Sequence, residues 1–227
     1  QWFSIDSAKQ AWKVGINSPA SLQVTNYWQN LLNQGLVSTA ADFSNDWATG
    51  LDKGTIASWV SAVWGQGVIP GDAKDMTGKW AAAPMPQWTA GANVTAMWGG
   101  SAISVIGGTK HPAEAAEFAQ WYLTNTQSLA IGVQQIGWYP ANLQARSTAV
   151  NAASAYYGNQ VVDQIFVNET VQPGWLFPPD LTSVTNLQGD DFGAAVANHT
   201  SLSDALSNLQ GQIISDLTGN GISAEGS

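Results

Sequence analysis

The apolar positions near the C-terminus repeat at helical spacing: Leu202, Leu206, Leu209, Ile213 and Leu217 fall on one face of an α-helix. Ser201 precedes them as an N-cap with Asp204 three residues on, like a capping box with Asp in place of Glu or Gln. Gly219 marks its end. Ser18-Pro19 opens another helix, with Leu22, Tyr27, Trp28, Leu31 and Leu32 as its apolar stripe and Gly35 just past its end. His111-Pro112 starts a third that runs to Leu123, with Ala115, Ala116, Phe118, Ala119 and Tyr122 on one side. Asn125 or Thr126 caps a short helix through Ile131. Gly137 to Pro140 forms a turn, Pro140 opens a further helix, and residues 141–172 read as helix in pieces. Asp42 to Gly50 reads as a short helix or loop. Asp190 to Asn198 reads as a helix, its Asp190-Asp191 pair suited to a helix N-terminus.

Strand signals concentrate in the middle of the chain. Thr55 to Trp64 is rich in β-branched and aromatic residues. Lys79 to Met85 is a short apolar run closed by Pro84 and Pro86. Val94 to Ile106 is a third run, broken by Gly99-Gly100 directly after Trp98. A glycine pair there bends the backbone or lets a ligand approach closely. The plainer reading is a β-bulge beside a core indole. Gly65, Gly67, Pro70 and Gly71 mark a loop, and Pro173 to Pro179 a rigid loop that carries Trp175 and Phe177. The order is helix, strands, then mostly helices: an α/β or α+β chain with its sheet early.

Composition narrows the function classes. The chain has 227 residues, 44% of them hydrophobic, enough for one large domain or two small ones. Net charge is −9, and the seven Lys and Arg form no run, which argues against nucleic acid or anionic membrane as partner. Cysteine is absent, which excludes thiol catalysis and Cys-type metal sites. The opening Gln1-Trp2-Phe3 reads as an internal cut.

Catalytic signals are weak. Neither a G-x-S-x-G motif nor a P-loop occurs. His111 and His199 lie far apart and read as surface residues, no pair of carboxylates stands out for glycoside hydrolysis, and no cluster has metal-ligand spacing. The positive signal is twelve tryptophans in a chain with only 10% charged residues. Trp64, Trp98, Trp138, Tyr139 and Trp175 sit at predicted strand ends or beside Gly/Pro breaks. Flat amphipathic rings there suit the C–H faces of sugars, although they suit plain packing as well.

At these residues the chain resembles the extracellular solute-binding proteins of ATP-driven (ABC) sugar importers, the maltose-binding-protein-like family. Four segments carry the likeness in order: Ile16-Asn-Ser-Pro with its helix to Leu36; Leu51-Asp-Lys-Gly-Thr-Ile-Ala, leading to Trp64; Met97-Trp-Gly-Gly-Ser-Ala-Ile-Ser-Val with Lys110-His-Pro-Ala-Glu; and Gly137-Trp-Tyr-Pro-Ala. The likeness implies an α/β, two-lobe periplasmic-binding-protein fold (type II), of which this is a C-terminal portion. Residues 1–88 and 140–227 would belong to the C-terminal lobe, and 89–139 to the N-terminal lobe with the hinge crossings. It implies a carbohydrate ligand in the inter-lobe cleft, a membrane permease as partner, and no catalysis, cofactor, metal or nucleic acid. Trp64, Trp98, Gly99, Gly100, Tyr139, Trp175 and Phe177 would form the site. The expected protein is a monomer outside the cytoplasm (extracellular or periplasmic), tethered by a lipid anchor, with the N-terminal half of the fold as a possible separate piece. The alternative is a secreted carbohydrate-active hydrolase or a lectin-like module.

Overall fold

The computed structural model describes residues 1–146, 152–167, 169, 171–174 and 176–227. In chain order its main elements are β1 (Phe3–Asp6), β2 (Ala11–Val14), α1 (Pro19–Asn33), α2 (Asn45–Asp52), α3 (Gly65–Asp72), α4 (Pro112–Thr124), α5 (Thr126–Ile136), α6 (Leu143–Arg146), α7 (Asp163–Val167), α8 (Leu181–Ala197), α9 (Leu202–Gly219) and β3 (Ala224–Gly226). They fall into two compact units: residues 1–39 with 173–227, and residues 40–172.

In the first unit β1 and β2 form an antiparallel hairpin with Phe3 opposite Val14, and β3 adds in parallel to β2 with Trp12 opposite Ala224. This small sheet comes from the two ends of the chain, not from the middle stretches that carry the strand signals. All five periodic residues of α9 are buried: Leu206, Leu209, Ile213 and Leu217 meet Phe3, Val14, Ile16 and Val184 in one core, and Leu202 packs with Ala195 and Ala205 in a smaller one. Ser201 caps α9 by accepting a hydrogen bond from the Asp204 amide at 3.2 Å. In α1, Ser18 is the cap and Gly35 follows in the left-handed region at φ 67°. The predicted stripe of α1 is only partly sunk. Its buried positions are Ser21 and Thr25, while Tyr27 and Trp28 stand exposed. Small side chains bring α1 close here, and the Trp2 indole N–H donates to Ser21 Oγ at 2.9 Å. α8 begins at Leu181, so Asp190 and Asp191 lie within it and not at its N-terminus. Asp191 instead accepts from Gln212 of α9 at 3.0 Å. The first turns of α8 are rich in Thr, Ser and Asn, whose helix propensity is low. Packing of Val184 and Leu187 decides the matter.

The second unit is built on Trp47, Leu51, Ile69, Ala73, Trp80, Tyr157 and Val162. Ser44 caps α2 by accepting from the Trp47 amide. The predicted loop at residues 65–71 is the helix α3, with Pro70 inside it. Proline leaves the carbonyl four residues earlier without its helical donor. Here the buried Tyr157 hydroxyl supplies one, donating to the Gln66 carbonyl at 2.7 Å. Tyr156 braces the end of the same helix by donating to the Ala73 carbonyl at 2.6 Å.

None of the three predicted strands forms. A strand needs a partner for its amides and carbonyls, and side chains take that role here. Gln160 both accepts from the Ala82 amide at 2.8 Å and donates to the Ala82 carbonyl at 2.9 Å. Gln87 does the same for Val94, at 3.0 and 2.9 Å. The run 94–106 keeps a single bridge, Thr95 to Val171. Residues 55–64 are irregular, with Ile56 and Trp59 packed on the core. The helices α4 and α5 follow their sequence signals: Asn125 caps α5, which runs on past Ile131 to Ile136 before Gly137 ends it at φ 72°. Trp138 folds back on Gly132, where an added Cβ would lie 2.3 Å from its ring, and meets Tyr122 edge-on. That indole is a packing residue.

Candidate ligand-binding site

The irregular stretch before α3 and the glycine break after Trp98 bring two of the sequence-predicted rings together. Trp64 and Trp98 stand edge to face with centroids 5.1 Å apart and planes at 60°. The Trp64 indole N–H donates to the Trp98 carbonyl at 3.3 Å. Its one polar atom is therefore spent on the protein, and what it offers outward is ring surface. Both rings are open to solvent, Trp64 at 37% and Trp98 at 50%. Gly99 at φ 94° and Gly100 at φ 139° turn the chain away after Trp98. Only glycine adopts such a pair without strain.

Three further rings, absent from the sequence-predicted site, complete the group. Trp59 is its hub, with centroids 5.0 Å from Trp47, 5.7 Å from Trp64, 6.1 Å from Phe43 and 6.4 Å from Trp98. Trp47 is the buried base, and Phe43 is exposed and 6.1 Å from Trp64. Trp59 sits close over Gly65, the first residue of α3: an added Cβ there would meet its ring at 3.0 Å and Ser61 Oγ at 2.3 Å. Ser61 Oγ is itself buried without a hydrogen-bond partner among the described residues. The sequence signal for Trp59 was its position five residues before Trp64. In a regular strand an odd separation would send the two rings to opposite faces. The irregular backbone removes that restriction.

Tyr139 is half-buried, donates to the Phe166 carbonyl at 2.8 Å, and has the Arg146 guanidinium over its ring at 4.9 Å. Phe177 is exposed in the first unit, followed by the buried Pro178. Trp175 lies outside the described residues. His111 and His199 are both exposed.

Comparison with known proteins follows the same lines. The structure is similar to the ABC transporter associated binding protein from B. animalis subsp. lactis Bl-04 in complex with beta-1,6-galactobiose. The TM-score is 0.83 and the identity 22%, over 99% of this chain and 58% of that one. It is likewise similar to the galacto-N-biose-/lacto-N-biose I-binding protein of the ABC transporter from Bifidobacterium longum in complex with lacto-N-biose. There the TM-score is 0.84 and the identity 22%, over 99% of this chain and 55% of that one. The chain thus spans little more than half the length of these proteins. A comparison with curated protein sequences returns no match. The fold is α/β, that of part of a two-lobe periplasmic binding protein. Residues 1–128 match the family model described as bacterial extracellular solute-binding protein, and the chain belongs to that family.

Proposed function

We propose that this chain is the carbohydrate-binding part of a solute-binding protein that delivers a sugar to the permease of an ABC importer. The observation that carries the proposal is the Trp64–Trp98 pair: two half-exposed indoles, fixed at 5.1 Å by a hydrogen bond between them. Adjoining exposed apolar rings mark contact sites, and pyranose C–H faces match indole faces in shape and polarity. The bound sugars of the two structural neighbours, galactobiose and lacto-N-biose, support the ligand class. Membership of an extracellular family supports a place outside the cytoplasm, with tethering by a lipid anchor as part of the same proposal.

In this reading Trp64 and Trp98 stack on the sugar, the backbone at Gly99 and Gly100 offers hydrogen bonds to its hydroxyls, and the two lobes close over the ligand. Tyr139, Trp175 and Phe177 join the set on the family resemblance. The lobe assignment belongs to the proposal too: residues 1–88 and 140–227 in one lobe, 89–139 in the other. It rests on the family resemblance. The protein binds and releases its ligand unchanged.

Tryptophan fluorescence during titration with a panel of mono- and oligosaccharides tests the reading, with a sugar-release assay alongside. A saturable change with at least one sugar and no turnover is the expected result. A flat signal across the panel, or hydrolysis, rejects it.

A further inference from the structure

Phe43 carries information that the Trp64–Trp98 pair does not. It is a bulky residue at φ 67°, in the left-handed region, where a non-glycine side chain of this size is a genuine outlier. Such strain costs on the order of 1–3 kcal/mol and persists where the surrounding structure enforces it, commonly at ligand sites. The plainer role for an apolar residue just before a helix cap is a hydrophobic staple, which buries its ring against the first turn. Phe43 does touch Trp47 in that turn, at 5.5 Å between centroids, yet remains 59% exposed. A staple needs neither the left-handed backbone nor the open face.

The backbone twist instead sets the ring beside Trp64 and over Trp59. Trp59 thereby supports three exposed rings, with Trp64 in contact with both Phe43 and Trp98. The centroid steps from Phe43 to Trp64, 6.1 Å, and on to Trp98, 5.1 Å, make a run longer than one pyranose ring covers. We infer that Phe43 is a second stacking platform, and that the site takes a saccharide of at least two sugar rings, one on Trp64 and Trp98 and the next on Phe43. The inference rests on the carbohydrate reading above and adds the ligand's length.

The test compares galactose with β-1,6-galactobiose, titrated into the unaltered protein and into Phe43→Gly, Phe43→Leu and Phe43→Tyr, with thermal melting as a control for folding. Phe43→Gly relieves the backbone strain, and Phe43→Leu retains apolar bulk on Trp47 and Trp59. We expect both to weaken galactobiose by about tenfold, the scale of a truncated anchor residue, with galactose changed by less than about twofold and Phe43→Tyr close to the unaltered protein. Equal losses for both sugars would make Phe43 a prop for Trp64 and overturn the inference. So would unchanged galactobiose affinity in the Gly and Leu variants. If the unaltered protein binds no sugar of the panel, the carbohydrate reading and this inference are overturned together, whereas binding of single-ring sugars alone, or binding with an indifferent Phe43, removes only the second.

Discussion

At the scale of single residues, two kinds of side chain carry the molecule: rings that face outward and groups that repair the backbone beneath them. Trp64 and Trp98 belong to the first kind. Truncating either to Ala should weaken sugar binding by about 10- to 100-fold. The melting temperature should fall little for Trp98, which is half in water, and more for Trp64, which is 37% exposed and bonded to the Trp98 carbonyl; calorimetry and a thermal melt check the two parts of this statement. Tyr157 belongs to the second kind. Its hydroxyl restores the donor that Pro70 withholds from the Gln66 carbonyl. Phe at position 157 should cost about 1–2 kcal/mol in urea unfolding, as for a buried acceptor left without its bond. Burial raises the pKa of this phenol, with the neighbouring Tyr156 adding to the effect. The unfolded chain then releases its proton at lower pH than the folded one. Stability from this group is complete below the ordinary value of 10.0 and declines as pH rises beyond it, a loss that Phe at this position should remove.

At the scale of elements, Gly65 shows how tightly the start of α3 is fitted. Gly65→Ala would push a Cβ into Ser61 and the Trp59 ring, at a cost of about 1–3 kcal/mol for overpacking, and it should loosen sugar binding by shifting the hub. In α9, Leu209→Ala empties a fully buried position and should cost about 2–5 kcal/mol; denaturant unfolding measures both. The two cases differ in how far sequence could foresee them. α9 was legible because five apolar residues, a Ser cap and a terminal glycine agree, and nothing in the tertiary structure opposes them. The strands of the middle region were not. Ile56, Trp59, Trp80 and Ala82 reach the core, whereas Ile103, Val105 and Ile106 stand exposed, and Gln160 and Gln87 pair the backbone of Ala82 and Val94 as a ladder would have done. A glutamine that replaces a strand leaves no periodicity to read. The real strands β1, β2 and β3 are three or four residues each and come from opposite ends of the chain, too short for an alternating pattern to declare itself. Trp64 and Trp98 could be singled out from their glycine neighbours. Phe43 and Trp59 required the fold.

At the scale of the whole molecule, low charge and many indoles point the same way. With 10% charged residues and a net charge of −9, the chain has little to offer an anionic partner, whereas a neutral saccharide needs only ring faces and hydrogen bonds. Binding should accordingly change by less than about twofold between low salt and about 0.5 M salt, a range over which exposed ion pairs are largely screened. Steep salt dependence would point to a charged ligand. The central claim is that the Trp64–Trp98 pair is a sugar platform and not misplaced core. Isothermal titration of a panel of mono- and oligosaccharides into the unaltered protein and into a Trp64→Ala/Trp98→Ala double variant separates the two. We expect saturable heat with at least one sugar in the first protein and none with that sugar in the second, with both proteins folded. Equal affinity in the two, or no heat with the unaltered protein across the whole panel, is the result that rules the platform out.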